Sequence, residues 1–237
     1  MTEVAAMNAF IRHMLQYTIR LVRVEPNKRP VGLASGFIIP VEKQYRMISA
    51  AHAIGAYANW TVETLPVSST ETLMLVVPTV RKVAIPPKSK SDSLDLAWAD
   101  LNPELLKDQL MAAQRLPSTA VELPLYTGPL DREPDPQVPY GYAAWNRVSF
   151  DPTDNTLIRE NSCERNMRYV DTDADTGLYK FELARKHQGH GYYRGASGAP
   201  IAEPEGVIVS MLVCGDEDDD FLYGVPLKTH ARVLLAR

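Results

Sequence analysis

Gly195-Ala-Ser-Gly-Ala-Pro200 is a run of six small residues towards the C-terminal end of the chain. Its glycines permit a tight turn that exposes the hydroxyl of Ser197, because glycine adopts backbone angles that are barred to other residues. The backbone N–H groups of such a turn can converge beside the hydroxyl and hold an oxyanion there. The run therefore indicates a nucleophilic serine, while an ordinary loop of small residues between two strands is the alternative.

A second segment, Met47-Ile-Ser-Ala-Ala-His52, places a histidine directly after a predicted strand. An imidazole titrates near neutral pH, so a histidine that faces a cleft can accept and return a proton. A histidine that is merely buried, or that caps an element, is the alternative.

A third segment, Ser93-Leu-Asp-Leu-Ala-Trp98, interrupts an apolar run with Asp95. A buried carboxylate is costly unless it is paired, and the N–H of a histidine ring is a suitable partner. The alternative is an outward-facing position on an edge strand. Asp92 is a rival, but its serine and lysine neighbours indicate a solvated loop.

Short apolar runs broken by Pro, Gly and Asn follow one another along the chain, which is the pattern of β-strands. The predicted strands are Ile19–Val24, Ser35–Ile39, Tyr45–Ser49, Thr72–Val77, Leu94–Trp98, Tyr140–Trp145, Leu178–Leu183, Val207–Val213 and Phe221–Val225. Several strands without long helices between them predict an all-β barrel or sandwich.

A proline-rich stretch at residues 116–138 divides the chain into halves of similar size. Because proline cannot donate to a β-ladder, this stretch is predicted to be a connection. Apolar residues at helical spacing predict terminal helices over residues 1–16 and 226–237. The strands then form two units, residues 17–115 and 139–225.

Composition limits the class of protein. A net charge of −4 argues against a general nucleic-acid binder, and no apolar run reaches the roughly 20 residues that cross a bilayer. Met1–Met14 lacks the pattern of a signal peptide. With Cys163 and Cys214 as the only cysteines, two reduced thiols in a cytoplasmic protein are the simpler interpretation. We expect neither nucleic acid nor a membrane as partner, and no cofactor or metal.

The three segments occur in the order His, Asp, Ser, and with Ser35-Gly-Phe-Ile-Ile39 they resemble the successive signatures of trypsin-like serine peptidases. The resemblance spans roughly residues 17–227, with identity concentrated in these short patches. It implies a mostly β fold of two six-stranded antiparallel barrels, the first holding His52 and Asp95 and the second holding Ser197.

The resemblance also implies a role for each residue. Ser197 would attack the scissile carbonyl, His52 would accept its proton, and Asp95 would orient His52. The N–H groups of Gly195 and Ser197 would form the oxyanion hole. The implied activity is that of a serine endopeptidase, which cleaves a polypeptide substrate through an acyl-enzyme.

Two residues depart from the secreted members of that family. Ala53 stands where those members usually have Cys, and Ala196 stands where zymogen-type members have Asp. In both respects the chain is more similar to the disulfide-free high-temperature-requirement and other bacterial or viral enzymes. Members of that kind are typically made in an active form, or are regulated by partners or by loop ordering. Of these alternatives we expect a regulatory protein partner, with residues 1–16 and 116–138 as candidate docking surfaces.

The position of the primary pocket follows from the same resemblance. Its residues should be His190 and Gly191 at the base, with Val213, Cys214 and Gly215 along one wall. No Asp stands where trypsin has the one that selects Lys or Arg. The acidic run Asp216–Asp220 could favour a basic substrate residue, with a solvated loop as the alternative. His190 could instead bind an acidic side chain of the substrate.

Other interpretations stay open at this point. The carboxylates of Asp171, Asp173, Asp175 and Glu182 have the spacing of a calcium loop. Thr176 stands where that loop needs a glycine, so an acidic surface turn is the alternative. The chain could also be a catalytically silent module of the same fold that binds peptides or proteins, or an esterase that uses the same three residues.

Overall fold

The computed structural model of the chain describes residues 10–11, 13–25, 30–54, 59–66, 72–77, 80–82, 95–101, 125–151, 156–216 and 218–236. These residues form two antiparallel β-sheets with a few short helices. Asp92, residues 1–9 of the predicted N-terminal helix and residues 116–124 of the predicted connection lie outside the described residues.

The first sheet is built from seven strands. They are β1 (Ile19–Val24), β2 (Pro30–Val41), β3 (Gln44–Ser49), β4 (Trp60–Pro66), β5 (Thr72–Val76), β6 (Arg81–Lys82) and β7 (Ala97–Leu101). Their order across the sheet is β5-β4-β1-β2-β3-β7-β6. Strand β2 has 12 residues and pairs with β1 through its first half and with β3 through its second half. The sheet therefore curls around its own apolar core, in which Leu21, Ile38 and Met47 are buried.

The second sheet is a closed barrel of six strands. They are β8 (Pro139–Asp151), β9 (Thr156–Thr172), β10 (Tyr179–Glu182), β11 (Pro200–Ala202), β12 (Ile208–Asp216) and β13 (Phe221–Pro226). Their order is β10-β13-β12-β11-β8-β9, and the pairing of β9 with β10 closes the barrel. Large aromatic side chains fill the interior, among them Tyr140, Tyr142 and Phe181.

Short helices flank the two sheets. They are α1 (Ala51–Ile54), α2 (His190–Tyr193) and α3 (Leu227–Leu235), and residues 10–11 and 13–17 are also helical. A third apolar cluster joins the sheets, with Met14 from the N-terminal helical segment, Phe37 and Met211 from the sheets and Leu234 from α3. None of the helices in the described part of the chain is long and apolar enough to cross a membrane.

The structure confirms the predicted fold class of a mostly β, double-barrel protein. The first sheet has seven strands instead of six, and it does not close among the strands described. Asp95 precedes β7, although the sequence placed it inside a strand at Leu94–Trp98. The carboxylate of Asp95 accepts hydrogen bonds from His52, and the pairing of β7 with β3 begins two residues later, at Ala97.

Candidate active site

The loop that carries Ser197 begins with a type II turn at residues 193–196. The N–H of its last residue donates to the carbonyl oxygen of its first at 2.9 Å. Arg194 has φ −60° and ψ 122°, and Gly195 has φ 90°, as the central positions of that turn require. A type I turn would reverse the peptide that joins these two residues. Glycine at 195 accepts the positive φ of the type II turn, and it therefore favours the orientation that its own N–H has in that turn.

A second turn, at residues 196–199, follows directly and contains Ser197. Gly198 has φ 95°, and a hydrogen bond of 2.9 Å joins the first and last residues of the turn. A Cβ atom on Gly198 would overlap the carbonyl oxygen of Ser35 and the hydroxyl of Ser49. Both the backbone angle and the available space therefore require glycine beside the serine.

Ser35 on β2 joins this loop to the first sheet. Its backbone N–H donates to the carbonyl oxygen of Ser197 at 2.9 Å, and its hydroxyl donates to the carbonyl oxygen of Gly195 at 2.8 Å. The hydroxyl of Ser49 in turn donates to the carbonyl oxygen of Ser35 at 2.7 Å. These bonds fix the serine loop of the barrel against β2. Through Ser49 they also connect the loop to β3, the strand that precedes His52.

His52 lies on α1, directly after β3. Ala51 and Ile54 are the buried residues of this helix, which leaves the ring of His52 half exposed at the cleft. Its Nε2 lies 3.1 Å from Oγ of Ser197, within hydrogen-bond distance, and the same hydroxyl lies 3.4 Å from the carbonyl oxygen of Val213. A serine hydroxyl and an imidazole nitrogen within hydrogen-bond distance can exchange a proton.

Asp95 holds the other side of the histidine. Its Oδ2 accepts from Nδ1 of His52 at 2.5 Å, and its Oδ1 accepts from the backbone N–H of His52 at 2.7 Å. The hydrogen bond to Asp95 and the negative charge of that carboxylate raise the pKa of His52 above its ordinary 6.5, while burial acts in the opposite direction. The structure thus brings together the three side chains that the sequence singled out.

A cleft of about 530 Å³ opens beside Ser197. The five pocket residues named from the sequence all line it: His190, Gly191, Val213, Cys214 and Gly215. Further lining residues that the sequence did not indicate include Leu33, Tyr193 and Leu222. Their position depends on how α2, β2 and β13 meet, and no local pattern marks it.

The two cysteines are not joined to each other. Burial raises the pKa of the thiols of both Cys163 and Cys214 above the ordinary value. The raised pKa values disfavour the thiolate, which is the reactive form of a cysteine.

The carboxylates with the spacing of a calcium loop do not converge. Oδ1 of Asp173 accepts from the backbone N–H and the hydroxyl of Thr176, and Glu182 pairs with Arg168 at 2.5 Å. Within the described ranges no group of three or more His, Cys, Asp or Glu side chains could hold a metal ion. The structure favours the acidic surface turn.

No protein-family profile and no curated protein matches the chain, but its structure resembles many solved ones. Neuropsin, a serine protease expressed in the limbic system of mouse brain, superposes with a TM-score of 0.60 over 94% of this chain and 94% of its own, at 11% identity. The fold is that of the trypsin-like serine proteases.

Two further structures of that fold are those of an active protease and of an inactivated paralogue. The active form of a protease from M. tuberculosis has a TM-score of 0.51 at 12% identity, over 97% of this chain and 84% of its own. An inactivated protease paralogue of the scabies mite has a TM-score of 0.58 at 11% identity, over 95% of this chain and 92% of its own. Likeness at this level establishes the fold alone, because one fold carries many functions and the function depends on the site.

Proposed function

We propose that the chain is a serine endopeptidase in which His52, Asp95 and Ser197 form a catalytic triad. The observation that carries this proposal is the unbroken series of contacts from Oδ2 of Asp95 through both ring nitrogens of His52 to Oγ of Ser197, at 2.5 and 3.1 Å. The trypsin-like fold and the paired glycine turns around the serine support it.

In the proposed reaction, Oγ of Ser197 attacks the scissile carbonyl and its proton passes to Nε2 of His52. Asp95 stabilises the imidazolium that forms and keeps Nδ1 protonated. The N–H groups of Gly195 and Ser197 receive the oxyanion, where losing one donor typically costs about 100- to 1000-fold in rate. His52 then returns the proton to the leaving amine, and water hydrolyses the acyl-enzyme by the same steps in reverse.

Endopeptidase activity can be separated from the two rival functions by one comparison. We expect the wild type to cleave internal bonds of a peptide library, with products identified by mass spectrometry, and Ser197→Ala to be inactive. A silent binding module would bind peptides without cleaving any of them. An esterase would turn over p-nitrophenyl esters and leave every peptide bond intact.

We further propose that the enzyme belongs with the disulfide-free members of the fold and is controlled by a protein partner. Cys163 and Cys214 are unbonded, and the buried Ala196 offers no carboxylate to a newly cut N-terminus. Control of this kind predicts that the isolated chain cleaves unrelated denatured proteins slowly. Rapid, indiscriminate digestion by the isolated chain would contradict it.

A further inference from the structure

Glu164 on β9 carries a buried carboxylate that the proposed mechanism does not use. The residue is 3% exposed, and both of its oxygens bond the guanidinium of Arg185. Nε donates to Oε2 at 2.9 Å, and Nη2 donates to Oε1 at 2.9 Å. A bidentate pair of this kind fixes the plane of the carboxylate as well as its charge.

The hydroxyl of Tyr193 uses the same carboxylate. It donates to Oε1 of Glu164 at 2.9 Å. Burial and the negative charge of Glu164 raise the pKa of Tyr193 above its ordinary value, so the hydroxyl keeps the proton that it donates. The ring packs against His187, with centroids 4.4 Å apart. The side chain of Tyr193 is therefore restrained both at its hydroxyl and on its ring.

Tyr193 connects this pair to the serine loop, because it is the first residue of the type II turn at residues 193–196. Its carbonyl oxygen accepts the N–H of Ala196 at 2.9 Å, which closes the turn around Gly195. A tyrosine that is bonded at its hydroxyl restrains the residue from which this turn starts. Tyr193 also lines the cleft, so the same bond stabilises the cleft wall.

The neighbouring Tyr192 makes a second connection between α2 and β9. Its hydroxyl donates to the carbonyl oxygen of Cys163 at 3.1 Å and accepts from the backbone N–H of Cys163 at 3.1 Å. Nη2 of Arg185 donates to the same hydroxyl at 3.1 Å. The last two residues of α2 are thus bonded to two adjacent residues of one strand, and Arg185 contacts both connections.

The turn has no charged anchor of its own. Ala196 is buried and has no polar side chain. The hydroxyl of Ser35 bonds the turn at the carbonyl oxygen of Gly195, which is a neutral contact from the first sheet. The charged contact comes from the barrel, through the Glu164 carboxylate, and it is complete without a newly cut N-terminus.

We propose that Glu164 and Arg185 are positioning residues, which restrain Tyr193 and through it direct the N–H of Gly195 towards the oxyanion. The effect on rate rests on the proposed endopeptidase function, while the effect on the turn does not depend on it. Among the described residues that line the cleft there is neither Glu164 nor Arg185, so neither side chain is expected to touch the substrate.

Tyr193→Phe removes the hydroxyl and keeps the ring in the cleft. We expect kcat on a cleaved peptide to fall by about 10-fold at nearly constant KM, because the oxyanion donor is less well directed. Fluorophosphonate labelling of Ser197 should slow by a similar factor. The control is Tyr140→Phe, since Tyr140 is a buried tyrosine of the same barrel whose hydroxyl bonds the backbone of Asp135. This control should leave kcat unchanged.

Arg185→Met tests the ion pair by leaving Glu164 buried without its cation. We again expect kcat to fall by about 10-fold at nearly constant KM. Arg132→Met is the matched control, because Arg132 pairs with Glu203 in the same way. The arginine and the glutamate are 56% and 8% exposed in that pair, against 50% and 3% in the first. The control should lose stability without a loss of kcat.

Hydrogen exchange at the Ala196 amide tests the turn without relying on activity, because that N–H closes it. We expect exchange about 10-fold faster in Tyr193→Phe and Arg185→Met than in the wild type, and unchanged exchange in the two controls. All exchange is measured under conditions in which each protein is folded. If one variant does not fold, the other carries the test.

Several outcomes would overturn the inference while a wild type that cleaves peptides keeps the endopeptidase proposal. They are unchanged exchange at Ala196, faster exchange with unchanged kcat, or losses of kcat that are as large in the controls. If the wild type neither cleaves peptides nor reacts at Ser197, the proposed function fails. Exchange at Ala196 then decides whether Glu164 and Arg185 position the turn.

Discussion

Both oxygens of Asp95 accept hydrogen bonds from His52, Oδ1 from the backbone N–H at 2.7 Å and Oδ2 from Nδ1 at 2.5 Å. The backbone bond anchors the carboxylate to α1, while the ring bond sets the tautomer of the imidazole. An asparagine could keep the first bond through its carbonyl oxygen, but it would lose the charge and the acceptor at the second. An asparagine at position 95 therefore separates the anchoring of this side chain to α1 from its electrostatic effect on the ring of His52.

We predict that Asp95→Asn folds normally and lowers kcat by about 10⁴-fold, since the wrong tautomer leaves Nε2 unable to accept the serine proton. The measurement is kcat on a cleaved peptide at neutral pH. Asp100→Asn is the matched control, because it removes a carboxylate on β7 that bonds Arg46 at 2.6 Å. Comparable losses in the two variants would contradict a specific role for Asp95.

The raised pKa of His52 predicts the pH profile. Only the neutral ring can accept the proton of Ser197, so kcat/KM should be lost as the pH falls through that pKa. We expect the midpoint of the acidic limb above 6.5, the ordinary value, and a lower midpoint in Asp95→Asn, which lacks the charge that raises it. A limb whose midpoint is the same in both proteins would contradict this assignment.

The hydroxyl of Ser35 is predicted to position the serine loop without touching the substrate. Ser35→Ala removes the bond to the carbonyl oxygen of Gly195 at 2.8 Å but keeps the backbone bond to Ser197. We expect a loss of about 1 kcal/mol in the free energy of unfolding and a fall in kcat of about 3- to 10-fold at constant KM, because the N–H of Gly195 is less well directed.

Ser210→Ala is the control for that variant. Ser210 is equally buried, and its hydroxyl donates to the carbonyl oxygen of Val225 at 3.0 Å, away from the serine loop. We expect a similar loss of stability without a change in kcat. If both variants lower kcat alike, Ser35 has only a structural role.

The glycine after the serine predicts a large difference between two substitutions. At Gly198 a Cβ atom would overlap neighbouring atoms and the backbone has positive φ, whereas at Gly191 no atom lies within 4 Å of a Cβ position. We expect Gly198→Ala to lower the free energy of unfolding by roughly 2–5 kcal/mol and Gly191→Ala to change it by less than about 0.5 kcal/mol. Urea denaturation measures both, and equal effects would contradict the described packing of the loop.

Much of the site could be predicted because its requirements are local. A serine between glycines that need positive φ, and a histidine just after a strand, are visible in a few adjacent residues. The choice of Asp95 over Asp92 rested on its Leu-Ala context, and in the structure Asp95 is the carboxylate at the ring of His52.

The long strand β9 was missed for a physical reason. Its buried residues Ser162, Glu164 and Met167 do not alternate regularly, because the pairing with β8 shifts between Tyr140 and Tyr142. A glutamate is usually exposed, so the sequence predicts a surface position for Glu164. In the structure it is buried because it pairs with Arg185, 21 positions away.

The central claim is that Ser197 is a nucleophile activated by His52, and covalent labelling with a fluorophosphonate tests it most directly. We predict that the wild type gains one label, located by mass spectrometry on the peptide that contains Ser197. Ser197→Ala should gain none, and His52→Ala should react far more slowly. A wild type that stays unlabelled at Ser197, or whose labelling does not depend on His52, would contradict the account.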